Sequence, residues 1–262
     1  RVTAREEILR MLQSAALVHA DEIPVMESTH KDLDMDKFDA FIRKQYGDSL
    51  NEVLQKAGIT LDQLLNNLRL AKGSALNLAG IMLFGSNPQR FRPQFIIKGV
   101  SFFGNDPAGT RYRDSQDFHG NLLELYKGAM SFLTRNLRWL QNGKGFNTEG
   151  DMEVPQTALE ELIVNMLLHR DYFISAPWRV MIFDNRIELI SPGVLPNNLT
   201  IENIRNGVSV IRNPLIASFA TKELPYRGIG TGILRAMAAI PDLVLQSDHE
   251  RNLFIARIPR KG

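Results

Sequence analysis

The dipeptide Asp184-Asn185 stands between two short stretches rich in β-branched and apolar residues, 179–183 and 186–190. An Asx pair at that spacing turns the chain straight back on itself, so the two stretches are expected to form an antiparallel hairpin. A second couple of short stretches, 243–246 and 253–258, closes the chain. Hairpins argue against a doubly wound parallel sheet, in which each strand needs a crossover helix before the next. Helical segments precede these strands, and that order argues for an α+β sandwich in which helices cover a mixed or antiparallel sheet.

Composition supports a packed interior and removes several chemistries. Of 262 residues, 44% are hydrophobic and 23% charged, the profile of a globular protein with one or two domains. With no cysteine, disulfides, thiolate zinc sites, iron–sulfur clusters and cysteine nucleophiles are all excluded. That usage suits a reducing compartment, and a cytoplasmic location is expected. No apolar run reaches the length that spans a bilayer, so no membrane partner is expected. The 31 Lys and Arg barely exceed the 29 Asp and Glu, and no whole-chain field points to nucleic acid. The chain begins at Arg1 without an initiator methionine and reads as a fragment.

Upstream of the hairpin, Glu6, Ile8, Leu9, Leu12 and Ala16 recur on a helical period, predicting an amphipathic helix that ends near His19. Residues 23–26 read as extended. Asp32 or Asp34 caps a helix carrying Phe38, Phe41 and Ile42 that stops at Gly47, and two helices follow over 49–57 and 61–70. Residues 76–84 read as an apolar helix closed by Gly85, 95–103 as a strand, 105–109 as a loop and 121–141 as one long helix. The polar, glycine-containing stretch 143–150 is a linker, which divides the chain into a helix-rich connecting region, 1–148, and a compact module, 149–262. In the module Pro155 opens a helix running to His169, and Ser191-Pro192-Gly193 breaks the second hairpin strand. Residues 195–227 have the composition of a mobile covering segment, and Gly228 opens a helix to Ala239.

Three clusters carry chemistry. Glu161-Leu-Ile-Val-Asn165 sets a carboxylate and a carboxamide one helical turn apart on a shared face, able to take a proton from water and to ligate Mg²⁺; a solvated or backbone-satisfied pair is the plainer reading. Glu188-Leu-Ile-Ser191-Pro192-Gly193 ends a strand in a turn that lets a planar ligand approach, or is a tight turn and no more. Gly228-Ile-Gly230-Thr-Gly232 heads a helix, where backbone N–H groups can meet an anion, or serves close packing. Asp248 follows it at the distance a dinucleotide fingerprint requires, but the third glycine falls one residue early and no strand precedes Gly228. His169 and Asp171 have no further histidine nearby in the sequence with which to hold a metal.

In order along the chain these clusters resemble the GHKL (Bergerat-fold) ATP-binding proteins, which include gyrase, MutL and the histidine kinases. The runs Glu160-Glu161-Leu-Ile-Val-Asn165-Met-Leu-Leu-His169-Arg170-Asp171-Tyr172, Arg186-Ile-Glu188-Leu-Ile-Ser-Pro192-Gly193, Arg212-Asn213-Pro214 and Tyr226-Arg227-Gly228-Ile-Gly230-Thr-Gly232 are similar to the divergent GHKL-type domain of RecG-related transcriptional regulators. Ala79-Gly80-Ile-Met-Leu-Phe84-Gly85 with Pro88 resembles the connecting region of that family. Those proteins carry a Schlafen-type AlbA DNA-binding domain and often a winged helix, neither of which this sequence contains.

The resemblance implies a two-layer α/β sandwich binding ATP and Mg²⁺. It implies Asn165 as the Mg²⁺ ligand and Glu161 as the catalytic glutamate of a weak ATPase. It places Ser191 and Gly193 at the base and Gly228, Gly230 and Gly232 at the phosphates, with Arg227 among the cofactor-binding residues. The aspartate that meets the adenine amino group in typical members stands here as Ser191, and the second glycine of that box as Leu195. Two functions therefore stay open. One is a nucleotide-binding regulatory module that acts on DNA through domains outside this chain. The other is a fold without nucleotide, serving as a dimerisation or protein-interaction scaffold, with a homo-oligomer compatible with either. Arg90, Arg92, Arg111 and Arg113 are scattered and read as solvated surface rather than a DNA-binding track.

Overall fold

A computed structural model describes residues 12, 18–141, 150–196, 199–228 and 230–260. Apart from Leu12, the N-terminal helix expected around Glu6 to Ala16 lies outside the described residues. So do residues 142–149, which hold the boundary expected between 1–148 and 149–262.

The helices begin where their caps dictate. Asp34 accepts the Lys37 N–H at 3.1 Å and starts α1 (Met35–Tyr46), which Gly47 ends in the left-handed conformation. Reciprocal capping boxes, Ser49 with Glu52 and Thr60 with Gln63, start α2 (Leu50–Ala57) and α3 (Leu61–Asn67). The third helix stops short of the expected Leu70. The Asn66 amide clamps the N–H and carbonyl of Gly73 and turns the chain into the small ladder β1 (Ala71–Lys72) and β2 (Ala75–Leu76). Asn77 then caps α4 (Leu78–Phe84), every residue of which is buried.

The main sheet draws on both halves of the chain. Its strands are β3 (Ile97–Phe102), β4 (Tyr112–Phe118), β7 (Trp178–Ile182), β8 (Arg186–Pro192), β9 (Val244–Asp248) and β10 (Leu253–Pro259). The spatial order is β4-β3-β7-β8-β10-β9, with β3 parallel to β7 and every other pairing antiparallel. The hairpin at Asp184-Asn185 forms as the dipeptide dictates. Two helices, α5 (Leu122–Asn136) and α6 (Gln156–Leu168), pack on this sheet to make a two-layer α/β sandwich. The layers meet through Phe132 and Leu133 of α5, Leu159, Ile163 and Leu167 of α6, and Ile97, Val180 and Ile187 of the sheet, all fully buried. One contiguous apolar cluster joins these to Phe38, Phe41 and Phe84 of the N-terminal helices.

Several boundaries differ from the periodic pattern. β4 is polar on both faces and shows no alternation in the sequence; it is an edge strand whose Asp114 and Gln116 are held by Arg135 of α5 at 2.8 and 3.0 Å. The long helix ends at Asn136, and Trp139 and Leu140 form β5 (Trp139–Leu140) against β6 (Asp151–Met152). β8 continues through Ser191 and Pro192, because Phe254 and Leu253 of β10 pair with them, and it ends only at Gly193. The stretch 195–227 is not a cover throughout. After α7 (Ile201–Arg205) it forms α8 (Pro214–Glu223), whose Ile216 and Ala220 are fully buried and whose Phe219 packs on Phe41 and Phe84. The last helix, α9 (Gly232–Ala239), opens four residues beyond the expected Gly228.

The N-terminus of α8 is capped from far away. Asp21, fully buried, accepts the N–H groups of Leu215 and Ile216 through Oδ2 at 2.8 and 2.9 Å, and its Oδ1 meets no partner among the described residues. Burial pushes this carboxyl up to about 6, against the pull of the two N–H donors. Because the folded state holds the proton more tightly than the unfolded chain, Asp21 stabilises fully below its unfolded value of 3.8 and loses that contribution as pH rises through about 6. Asp21→Asn retains an acceptor without the charge. Relative to the parent, its stability is expected to improve by about 2 kcal/mol between pH 4 and pH 7.5. Urea unfolding at both pH values measures this, and a difference independent of pH would refute it.

Candidate functional site

A cleft open to solvent lies between α6, the end of β8, residues 226–228 and 230–231, and the residues around α7. Its walls are largely apolar, with Met166, Leu189, Ile204 and Phe254 among them, as suits a site that buries a planar ligand. Glu161, Asn165, Ser191, Gly193, Arg227, Gly228, Gly230 and Gly232 all line it. Segments far apart in sequence thus converge there. The sheet brings the end of β8 beside β10, and α9 lies across α6.

The contacts within the cleft assign the side chains more narrowly than the motifs do. Glu161 and Asn165 share one face of α6, and the Asn165 amide donates to the Glu161 carbonyl at 2.6 Å. The Glu161 carboxylate is taken by Arg235 of α9, whose Nε lies 2.9 Å from Oε1 and whose Nη2 donates to the same oxygen. Gly232 leaves room for this pair: a Cβ there would fall 2.2 Å from Glu161 Oε2 and 3.2 Å from Asn165 Nδ2, so the carboxylate would have to move. Its lack of a side chain admits the α6 polar pair. Gly228 and Gly230 both adopt φ of +71° in the loop before α9.

Ser191 does not present a free hydroxyl proton. Its Oγ donates to the Met166 carbonyl at 3.1 Å, tying the end of β8 to α6. Gly193 has φ of +101°, and a Cβ would lie 2.5 Å from Asp171 Cβ and 2.6 Å from Arg212 Nη1. The glycine that sequence reasoning gives to ligand approach is demanded by close packing of the chain behind the cleft. Glu188 of the same cluster is outside the cleft, where Arg186 and Arg257 bracket its carboxylate at 2.8 and 3.0 Å.

The His169-Arg170-Asp171-Tyr172 run is a fastener beneath this site. Arg170 is fully buried, with its guanidinium 4.3 Å from the Trp178 ring centre, 4.4 Å from Phe95 and 5.2 Å from Tyr172. It donates to the carbonyls of Ile174 and Ala176 at 2.5 and 2.8 Å. Burial lowers its pKa to about 10, which leaves it charged at neutral pH. Asp171 accepts the Phe173 N–H at 3.0 Å, and its own N–H donates to the Pro192 carbonyl at 2.9 Å. Asn213 donates to the carbonyls of Leu168 and Arg170 at 2.8 and 2.9 Å, which explains why the Arg212-Asn213-Pro214 run accompanies it. His169 lines the cleft, and burial followed by the nearby Arg212 charge pushes its imidazole down to about 4, so it is neutral at pH 7.

Sequence reasoning missed Arg235. It stands 74 residues from Glu161, and no local pattern announces a pair made by the crossing of two helices. Tyr226, His169 and Phe254 were likewise not singled out for the cleft that they line. Among the described residues no three His, Asp or Glu side chains converge on a point that could hold a metal ion, and no helix is long and apolar enough to cross a membrane.

Residues 176–258 match the family described as "Putative ATP-dependent DNA helicase recG C-terminal", so this part of the chain is similar to a RecG-related, ATPase-like domain. The matched stretch runs from β7 to β10 and begins after Glu161 and Asn165. In the crystal structure of the DIP2311 protein from Corynebacterium diphtheriae the same fold occurs, with a TM-score of 0.68 at 20% sequence identity over 99% of this chain and 51% of that one. This chain thus spans about half the length of that protein. No curated protein matches it.

Proposed function

We propose that the cleft binds ATP with Mg²⁺ and that the chain is a nucleotide-responsive regulatory module. The observation that carries this reading is the convergence on one largely apolar cleft of a carboxylate, a carboxamide, two guanidinium groups and a positive-φ glycine loop. These groups match the parts of a magnesium nucleotide. The apolar wall takes a base, Arg227 and Arg235 suit phosphate oxygens, and the Asn165 carboxamide oxygen suits a hard cation. Mg²⁺ commonly takes few protein ligands and fills its shell with phosphate and water oxygens, so one carboxamide without a carboxylate triad is a fitting site. When bound, the ion neutralises phosphate charge. Glu161 would accept the proton of the attacking water in a slow hydrolysis.

DNA binding would reside in domains that the resemblance places beside this region, and nucleotide binding would change how those domains are presented. In calorimetric titrations of Mg–ATP, wild type is expected to bind, and Asn165→Ala to bind at least about tenfold more weakly for loss of one oxygen ligand. Absence of binding by wild type, or affinity indifferent to the substitution, would sink the reading in favour of a scaffold without nucleotide. Where phosphate release is measurable, Glu161→Gln is expected to lower it by about 10²-fold or more.

A further inference from the structure

Each of the three guanidinium nitrogens of Arg235 has a partner. Nε and Nη2 lie on Glu161 Oε1, and Nη1 donates to Thr231 Oγ1 at 2.7 Å. The second oxygen of Glu161 occupies the space that a Cβ on Gly232 would fill, 2.2 Å from that position, so the carboxylate lies close against the start of α9. The partners are unequally placed: the Glu161 side chain is 13% exposed, whereas that of Arg235 is 43% exposed. Both residues also line an adjoining cavity with Thr157, Glu160 and Pro225, so the pair is the wall between two open spaces. Arg227 lines the same two spaces.

We propose that Arg235 reads the terminal phosphate of the nucleotide, and that its ion pair with Glu161 is a latch that this phosphate opens. The proposal rests on the nucleotide reading of the cleft and adds to it what the site senses. A guanidinium fork pairs with a carboxylate or a phosphate in the same planar manner, and a terminal phosphate brings more charge and more oxygens than one carboxylate. Transfer of Arg235 to phosphate frees Glu161 in the same movement, so the proton acceptor is released only when a triphosphate is in place. A diphosphate that leaves the pair closed binds without this gain. Because Arg235 is mounted in the first turn of α9 and Glu161 on α6, opening the latch alters the contact between the two helices.

The test is calorimetry of Mg–ATP and Mg–ADP against wild type, Arg235→Ala, Arg235→Lys and Glu161→Gln, each checked for fold by circular dichroism. Wild type is expected to bind ATP about tenfold tighter than ADP, the scale of one charge-assisted contact. Arg235→Ala is expected to abolish that preference by weakening ATP about tenfold while ADP changes less than about threefold. Arg235→Lys, which keeps the charge but not the fork, should retain part of the preference. Glu161→Gln, which removes the competing charge, should tighten ATP several-fold and leave ADP unchanged. A preference for ATP that survives in Arg235→Ala overturns the latch and leaves the nucleotide reading standing. Failure of wild type to bind either nucleotide overturns both.

Discussion

Arg170→Ala is expected to lower the free energy of unfolding by about 4 kcal/mol or more, a large share of what a domain of this kind possesses. The side chain is fully buried, and the nearby Asp171 charge favours its ionised form without an ion pair between the two. Three aromatic faces and two carbonyl groups hold the guanidinium itself. Truncation leaves a cavity among Phe95, Tyr172 and Trp178, each of which loses its contact with the cation. It also removes a charged donor from the half-buried Ile174 and Ala176 carbonyls, at about 1–3 kcal/mol apiece. Arg170→Lys keeps a charge that can reach one carbonyl but cannot lie flat against the rings, and should fall between alanine and wild type. Urea denaturation followed by tryptophan fluorescence reports on this directly, since Trp178 is a wall of the cage. A loss below about 1 kcal/mol would show that the cage is ornamental to stability.

Gly193→Ala is expected to cost about 2–5 kcal/mol, combining a positive-φ penalty with overpacking. At φ of +101° an L side chain is strained before any contact is considered. The added methyl would then meet Asp171 Cβ at 2.5 Å and the Asp171 backbone nitrogen at 3.2 Å, atoms that cannot swing aside as the Arg212 guanidinium can. Asp171 is fixed by its N–H bond to the Pro192 carbonyl, so relief requires the end of β8 to part from the segment after α6. The loss should appear in thermal unfolding without any ligand present. A variant as stable as wild type, impaired only in nucleotide binding, would mean that this glycine serves a ligand instead.

Local chemistry made much of the architecture legible. The Asx turn at 184–185 sets the β7/β8 hairpin, and the caps at Asp34, Ser49, Thr60 and Asn121 start their helices where the chain announces them. Such signals act over a few residues and do not wait for a partner. β4 was invisible for the opposite reason. An edge strand whose side chains are solvated on one side and held by Arg135 on the other needs no apolar alternation. α8 misled through its flanking prolines: its apolar face is earned by docking on α4 and on Asp21, from nearly 200 residues upstream.

The candidate site divides in the same way. Residue type and spacing in the sequence were enough to single out the polar pair of α6, the glycines of the 228–232 loop and the turn at Gly193, because each is a local motif. Only the tertiary structure decided what those residues face. Gly193 is held to glycine by the backbone and Cβ of Asp171, Gly232 leaves room for the Glu161 carboxylate, the Ser191 hydroxyl is bound to a backbone carbonyl, and Glu161 is paired with Arg235. These are contacts between segments tens of residues apart. Their energies depend on distance in space, which sequence spacing does not encode, and the crossing of α9 over α6 supplies that distance.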